Sequence, residues 1–159
     1  MKTIIAIVTM AIFPLISFSQ NKAIDDLFNK YAGRDGFTTV DINGGLLKLA
    51  SFFEKDSDSK DLMKTINHIR ILAMEKGADS KVNFYKEVID GITVKDYEEL
   101  MTVKDKDQDV RILVKQADGR INELLMIVGG SDNALISITG KIDPRDLSQV
   151  KHMVKGQYN

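Results

Sequence analysis

Apolar positions fall at helical spacing in the first half of the chain and at strand spacing in the second. Ile24, Leu27, Phe28 and Tyr31 stand at i, i+3, i+4 and i+7, one stripe of an amphipathic helix, and Gly33 is a natural stop for it. Residues 37–42 predict a short strand in which Phe37, Thr39 and Asp41 alternate with Thr38, Val40 and Ile42. Asn43-Gly44-Gly45 then turns the chain into a second helix, whose stripe of Leu46, Leu49, Ala50 and Phe53 repeats the first spacing. Residues 54–60 form a polar loop and 61–67 a short helix. Residues 68–74 predict a buried strand, because Ile69, Ile71, Leu72 and Ala73 leave little polar alternation. A longer helix follows over 80–90, with Tyr85, Val88, Ile89 and Ile92 as its stripe and Gly91 near its end.

The period then changes from 3.6 to 2. Residues 97–103, 110–116, 121–128 and 134–139 are four consecutive strand candidates. Asp118-Gly119 between the second and third suits a tight type I′ hairpin, and residues 130–133 close the next connection. Val110, Ile112 and Val114 point one way and Arg111 and Lys115 the other. The run Leu124-Leu125-Met126-Ile127-Val128 is apolar on both faces, which predicts a central strand. Asp143 is a good N-cap, Pro144 is favoured at the first helical position, and Asp146 suits the first turn. Leu147, Val150 and Val154 give that closing helix its apolar side. The sum is an α+β fold: a mostly antiparallel sheet with a four-strand meander in the C-terminal half, helices packed mainly on one face.

The first nineteen residues stand apart from this pattern. One cation, Lys2, precedes an apolar stretch over 4–16, and Ser17-Phe18-Ser19 places small residues at −1 and −3, as signal peptidase requires. A membrane-spanning helix needs about 20 apolar residues; this stretch is shorter and contains Pro14. The expectation is a signal peptide over 1–19, cut between Ser19 and Gln20, and one domain over 20–159. The chain has no cysteine, which removes disulfides and the acylated residue of a lipoprotein. The expected product is exported, periplasmic or secreted, and untethered. Charge is balanced, 22 basic against 23 acidic residues, so no basic face is implied and nucleic acid is not an expected partner.

Candidate chemistry is sparse. His68 opens a strand with no acidic residue within five positions, and His152 lies on the closing helix beside Lys151; neither has the neighbours of a metal ligand or base. Asp105-Lys106-Asp107-Gln108-Asp109 copies the opening of a calcium loop. The required glycine is Val110 and the bidentate glutamate position is Gln116, so a solvated hairpin loop is expected instead. Asp56-Ser57-Asp58 fails similarly at Lys60. Glu98 and Glu99 could serve in acid–base chemistry, but neighbours on a strand point to opposite faces. Met63, Met74, Met101, Met126 and Met153 read as core filling. There is no G-x-S-x-G elbow and no phosphate-cradling glycine loop. Catalytic residues, metal ligands and cofactors are assigned to none.

The order of elements and three local strings resemble an exported Bacteroidetes family known as domain of unknown function 4252. The strings are Leu27-Phe28-Asn29-Lys30-Tyr31, Tyr97-Glu98-Glu99-Leu100-Met101, and Ile138-Thr139-Gly140-Lys141-Ile142-Asp143. The Ser-Phe-Ser-Gln leader end is also typical of that phylum. The resemblance implies a small envelope protein without an established activity, encoded in many cases near sigma and anti-sigma factors. Many members are lipoproteins, a pattern from which this chain departs. The expected function is a non-enzymatic binding or regulatory module that uses its sheet face or a helical edge to contact another envelope protein. An enzyme with a site assembled from distant residues, or a self-associating structural protein, are the alternatives.

Overall fold

The computed structural model describes residues 22–75, 81–91, 96–130 and 133–147. Helix α1 (Lys22–Tyr31) leads into β1 (Phe37–Asn43), followed by α2 (Gly44–Ser51), α3 (Ser57–Thr65) and β2 (Ile66–Met74). Helix α4 (Phe84–Gly91) precedes the strands β3 (Glu98–Lys104), β4 (Gln108–Ala117), β5 (Arg120–Gly130) and β6 (Ala134–Ile142). The six strands form one sheet in the order β1-β2-β6-β5-β4-β3, and every neighbouring pair is antiparallel. The expected α+β class is therefore found, with the four C-terminal strands as a meander and β5 next to the sheet centre.

Each face of the sheet has its own core. Leu72, Leu113, Leu125, Ile127 and Leu135 meet Ile24, Leu27, Phe28 and Tyr31 of α1 and Phe84 and Val88 of α4. On the opposite face, Ile66, Val114, Ile121, Leu124 and Ile142 meet Leu62 of α3 and Leu47 of α2. Helices α1 and α4 thus share one face, here called the α1 face. The α2–α3 pair caps one end of the other, the α2 face.

Local chemistry explains most boundaries. Gly33 ends α1 in the left-handed conformation (φ +71°), with the Ala32 amide bonded to the Phe28 carbonyl at 2.9 Å, the usual C-terminal stop. Asn43 caps α2 by accepting from the Leu46 amide, and Asp56 caps α3 by accepting from the Ser59 amide. That second cap starts α3 four residues ahead of the expected Asp61. Asp118 and Gly119 both hold positive φ, +55° and +70°, as the type I′ turn demands. Asp143 caps a 3₁₀ turn (Pro144–Asp146) by accepting from the Arg145 amide. Leu147 packs on the α2-face core, and the rest of the expected closing helix, with Val150 and Val154, lies outside the described residues.

Three expectations need correction. The helices do not pack mainly on one face: α1 and α4 cover one face, and α2 and α3 pack on the other. The buried side of α4 is centred on Phe84 and Val88, with Tyr85 and Ile89 flanking as partly buried neighbours; Ser80 and Ile92 lie outside the described residues. The stripe of α2 faces solvent. Leu46, Leu49 and Phe53 are 55%, 58% and 82% exposed, and Phe52 is 75% exposed, while Ser51 is buried and Leu47 packs inward.

Candidate functional site

The inversion of α2 makes an apolar surface. Gly44 starts the helix so close to β2 that a Cβ there would stand 2.9 Å from the carbonyl oxygens of Ile66 and Asn67. This approach seats Leu47 and Ser51 against the molecule and turns Leu46, Leu49, Phe52 and Phe53 outward. The sheet continues the surface beyond the helix pair. The register aligns Val40, Ile71, Ile136, Met126, Ile112 and Met101 as one row crossing all six strands. The row beside it runs Thr38, Ala73, Ala134, Val128, Val110 and Val103. Both rows have the parity of Ile69 and Ile138, so they lie on the α2 face. Val40 at one edge and Met101 and Val103 at the other are exposed. Five inter-strand spacings make the rows about 24 Å wide. Of the eight large apolar residues exposed among the described residues, seven lie on this side of the sheet; the eighth, Leu100, sits at a bulge in β3.

The α1 face is built differently at its α2 end. Asn43, His68, Thr139, Glu123 and Lys115 form a polar row across five strands. The next row carries Asp41, Arg70 and Ser137 before it becomes apolar at Leu125 and Leu113. His68 Nε2 pairs with Asp41 Oδ1. Arg70 Nη1 lies 2.7 Å from Asp25 Oδ1 of α1, and its guanidinium stands 4.5 Å from the Phe28 ring centroid, so the cation holds α1 to the sheet through a charge and a ring. Glu123 is buried, and the Tyr97 hydroxyl donates to it at 2.6 Å. Burial pushes the Glu123 carboxyl above the usual carboxylate range, opposed by the Tyr97 hydrogen bond and by Lys115 and Arg70. A proton could be held at Glu123. The Tyr97 ring packs against the α1-face core while its hydroxyl occupies the carboxylate, which places Glu123 inside a structural network.

The residues singled out by sequence separate across the fold. His68 has its acidic neighbour after all, supplied by β1; the contact depends on register, which the sequence does not display. His152, Met153 and the expected cleavage residues Ser19 and Gln20 lie outside the described residues. Asp105 and Asp107 sit in the β3–β4 turn, closed by the Asp105 amide bonding to the Gln108 carbonyl at 2.9 Å, while Asp109 is already in β4 opposite Lys104. Asp56 is used as a helix cap; the Ser59 amide holds its carboxyl below the ordinary range. Glu98 and Glu99 oppose Val114 and Leu113, which belong to different cores, so the two carboxylates face apart as expected. Glu98 accepts from Gln116 at 3.0 Å; Glu99 accepts from Thr102 at 2.6 Å and pairs with Arg111. Met74 packs against the α1-face core, whereas Met101 is exposed at the sheet edge and corrects the reading of it as core filling. Among the described residues, no three His, Asp or Glu side chains come together as a metal site. No helix there is long and apolar enough to cross a membrane.

Sequence reasoning missed Asn133, which it placed in a loop. The residue is buried, and its amide donates to the carbonyls of Val82 at 2.9 Å and Gly130 at 3.1 Å while accepting from the Phe84 amide at 3.3 Å. Its own carbonyl accepts from Met74 at 2.9 Å. One asparagine thereby joins the start of α4, the end of β2 and the β5–β6 connection.

Comparison with curated proteins and with solved structures returns no match. Residues 31–150, more than half of the chain, match the family described as a domain of unknown function, DUF4252, and the protein belongs to that family.

Proposed function

We propose that the protein is an exported, non-enzymatic binding module of the bacterial envelope, and that it contacts another envelope protein through the α2 face. The observation that carries this reading is the outward stripe of α2. Four large apolar side chains on one short helix and its C-terminal turn are more than half exposed. They adjoin a sheet face whose edge residues Val40, Met101 and Val103 are also exposed. Contiguous apolar surface of this kind is costly to leave in water and marks interaction sites in soluble proteins. The spacing of Leu46, Leu49 and Phe53 is that of a helix whose apolar side enters a partner's groove. Export is supported by the leader, and the regulatory variant of the reading by the resemblance to a family encoded near sigma and anti-sigma factors.

Site-specific photocrosslinking in the native envelope tests it. A photoreactive residue at position 49 or 53 should give the same discrete adduct, and one at Asp90 on α4 should not. The Leu46→Asp variant should remove that adduct. Adducts of equal yield from position 90, or none from 49 and 53, would count against the reading.

A further inference from the structure

The two outer strands of the sheet differ in how they meet solvent. An edge strand offers unpaired amides and carbonyls to any other strand, and natural proteins blunt such edges with bulges, lysines or prolines. Strand β3 is blunted: its register with β4 breaks between Glu99 and Met101, and it carries Glu98, Glu99 and Lys104. Strand β1 has none of these devices. Its seven residues keep an unbroken register with β2 from Phe37↔Met74 to Asn43↔His68. It contains no proline, lysine or bulge, and only one charge, Asp41. Residues 38–41 are exposed, and among the described residues no strand pairs with its second edge, where the Phe37 amide at the start of the strand is taken by the Arg34 carbonyl at 3.1 Å.

We infer that this edge pairs with the same edge of a second copy, antiparallel about a twofold axis at Val40. The strand is complementary to itself in that register. Val40 opposes the partner's Val40, Thr38 opposes the partner's Ile42, and Thr39 opposes the partner's Asp41. No like charges stand directly opposite, and the Thr39 hydroxyl is placed to donate to a carboxylate. Each Asp41 already pairs with its own His68, which tempers the diagonal approach of the two carboxylates across the axis. The faces also agree. Thr38, Val40 and Ile42 lie on the α2 face, so the apolar row through Val40 runs on into the second copy and the polar side continues on the other face. A contact of this kind is isologous and closes at two subunits. The blunted β3 edge keeps the joined sheet from growing further. The inference rests on the β1 edge alone and is independent of which partner the α2 stripe meets.

The chain lacks cysteine, so a single introduced thiol reports the seam cleanly. Directly opposed residues of an antiparallel pair have Cα atoms about 4.5–5.5 Å apart, within the span of a disulfide, roughly 4.4–6.8 Å. Purified protein carrying Val40→Cys should become a covalent dimer under mild oxidation or with a short bis-maleimide. Protein carrying Met101→Cys, at the opposite edge, should remain monomeric under the same treatment. Sedimentation of the unmodified protein should give twice the chain mass. Val40→Lys, which sets two ammonium groups against each other at an exposed position, should return it to the single mass with an unchanged circular dichroism spectrum. A monomeric unmodified protein, crosslinking of Met101→Cys equal to that of Val40→Cys, or a Val40→Lys protein that stays dimeric overturns the inference. Should Val40→Lys fail to fold, the thiol pair and the unmodified mass still decide.

Discussion

The hydroxyl of Tyr97 donates a 2.6 Å hydrogen bond to Oε2 of Glu123, a carboxyl that β5 carries into the buried half of the α1 face. Burial raises its pKa above the ordinary value, more than the Tyr97 bond and the Lys115 and Arg70 charges lower it. A carboxyl so shifted binds its proton more tightly in the folded than in the unfolded chain. Its contribution to stability is therefore largest in acid and declines as pH rises from the ordinary carboxylate range through the folded pKa. Glu123→Gln keeps an acceptor for Tyr97 and removes the titration. Its melting temperature should match that of the unmodified protein near about pH 4 and exceed it at neutral pH. If the unmodified protein instead gains on the variant as pH rises, Lys115 and Arg70 outweigh desolvation.

Asn133 ties three segments together, with side-chain bonds to Val82 and Phe84 at the start of α4 and to Gly130 at the end of β5, and a backbone bond from Met74 of β2. Truncation leaves buried carbonyl and amide groups unpaired, each at a cost of about 1–3 kcal/mol. Asn133→Ala should lower the unfolding free energy by about 2–4 kcal/mol, read as a drop in the urea midpoint with an unchanged slope. The loss should be accompanied by faster amide exchange at the start of α4, where Phe84 loses its acceptor. A change below about 0.5 kcal/mol, the ordinary surface range, would mean that the junction is held by the strands alone.

The α2–α3 pair separates stability from recognition. Leu62 is buried in the α2-face core, and Leu62→Ala should cost about 2–4 kcal/mol. Leu49 is 58% exposed, and Leu49→Ala should change stability by about 0.5 kcal/mol or less while weakening the envelope contact proposed for that helix. Urea titration of both variants measures the first effect and photocrosslinking the second. Equal destabilisation by the two substitutions would place Leu49 in the core.

These contrasts show which parts of the fold were legible in the sequence. Signals that act over a few residues were readable: Gly33 as a stop, Asp118-Gly119 as a hairpin, Asp143-Pro144 as a cap. The meander was readable because period-2 runs joined by short turns have few ways to pair. The side of α2 that meets the sheet was not. Periodicity groups Leu46, Leu49, Ala50 and Phe53 on one side, but it is silent on which side faces the molecule. Here a glycine contact at the start of the helix seats Leu47 and Ser51 instead. The His68–Asp41 pair joins strands 27 residues apart, and the Glu123–Tyr97 pair spans a meander. Both depend on register, which is decided by the whole sheet. Asn133 looked like a loop residue because, apart from Gly130, its partners come from two distant segments, the start of α4 and the end of β2.

The final strand carries a test of how tightly the α2–α3 cap is seated. Gly140 opposes Ile66 in the β2–β6 ladder, beside a bulge between Ile66 and His68. A Cβ on Gly140 would stand 2.4 Å from the Thr65 carbonyl oxygen and 3.0 Å from the Ile66 Cα. Both are backbone atoms at the junction of α3 and β2, so neither moves without displacing an element. Gly140→Ala should therefore cost about 1–3 kcal/mol, the range for overpacking a tight site. Gly119 gives the comparison. Its φ is +70°, but a Cβ there would have no neighbour within 4 Å, so Gly119→Ala meets only the left-handed backbone penalty of about 1–2 kcal/mol. The discriminating measurement is exchange at the α2–α3 amides: Gly140→Ala should speed it, because the clash pushes the cap off the sheet, while Gly119→Ala should leave it unchanged. Equal effects of the two substitutions on those amides would show that the cap moves freely relative to β6, and that the exposure of Leu46, Leu49 and Phe53 is not enforced by this junction.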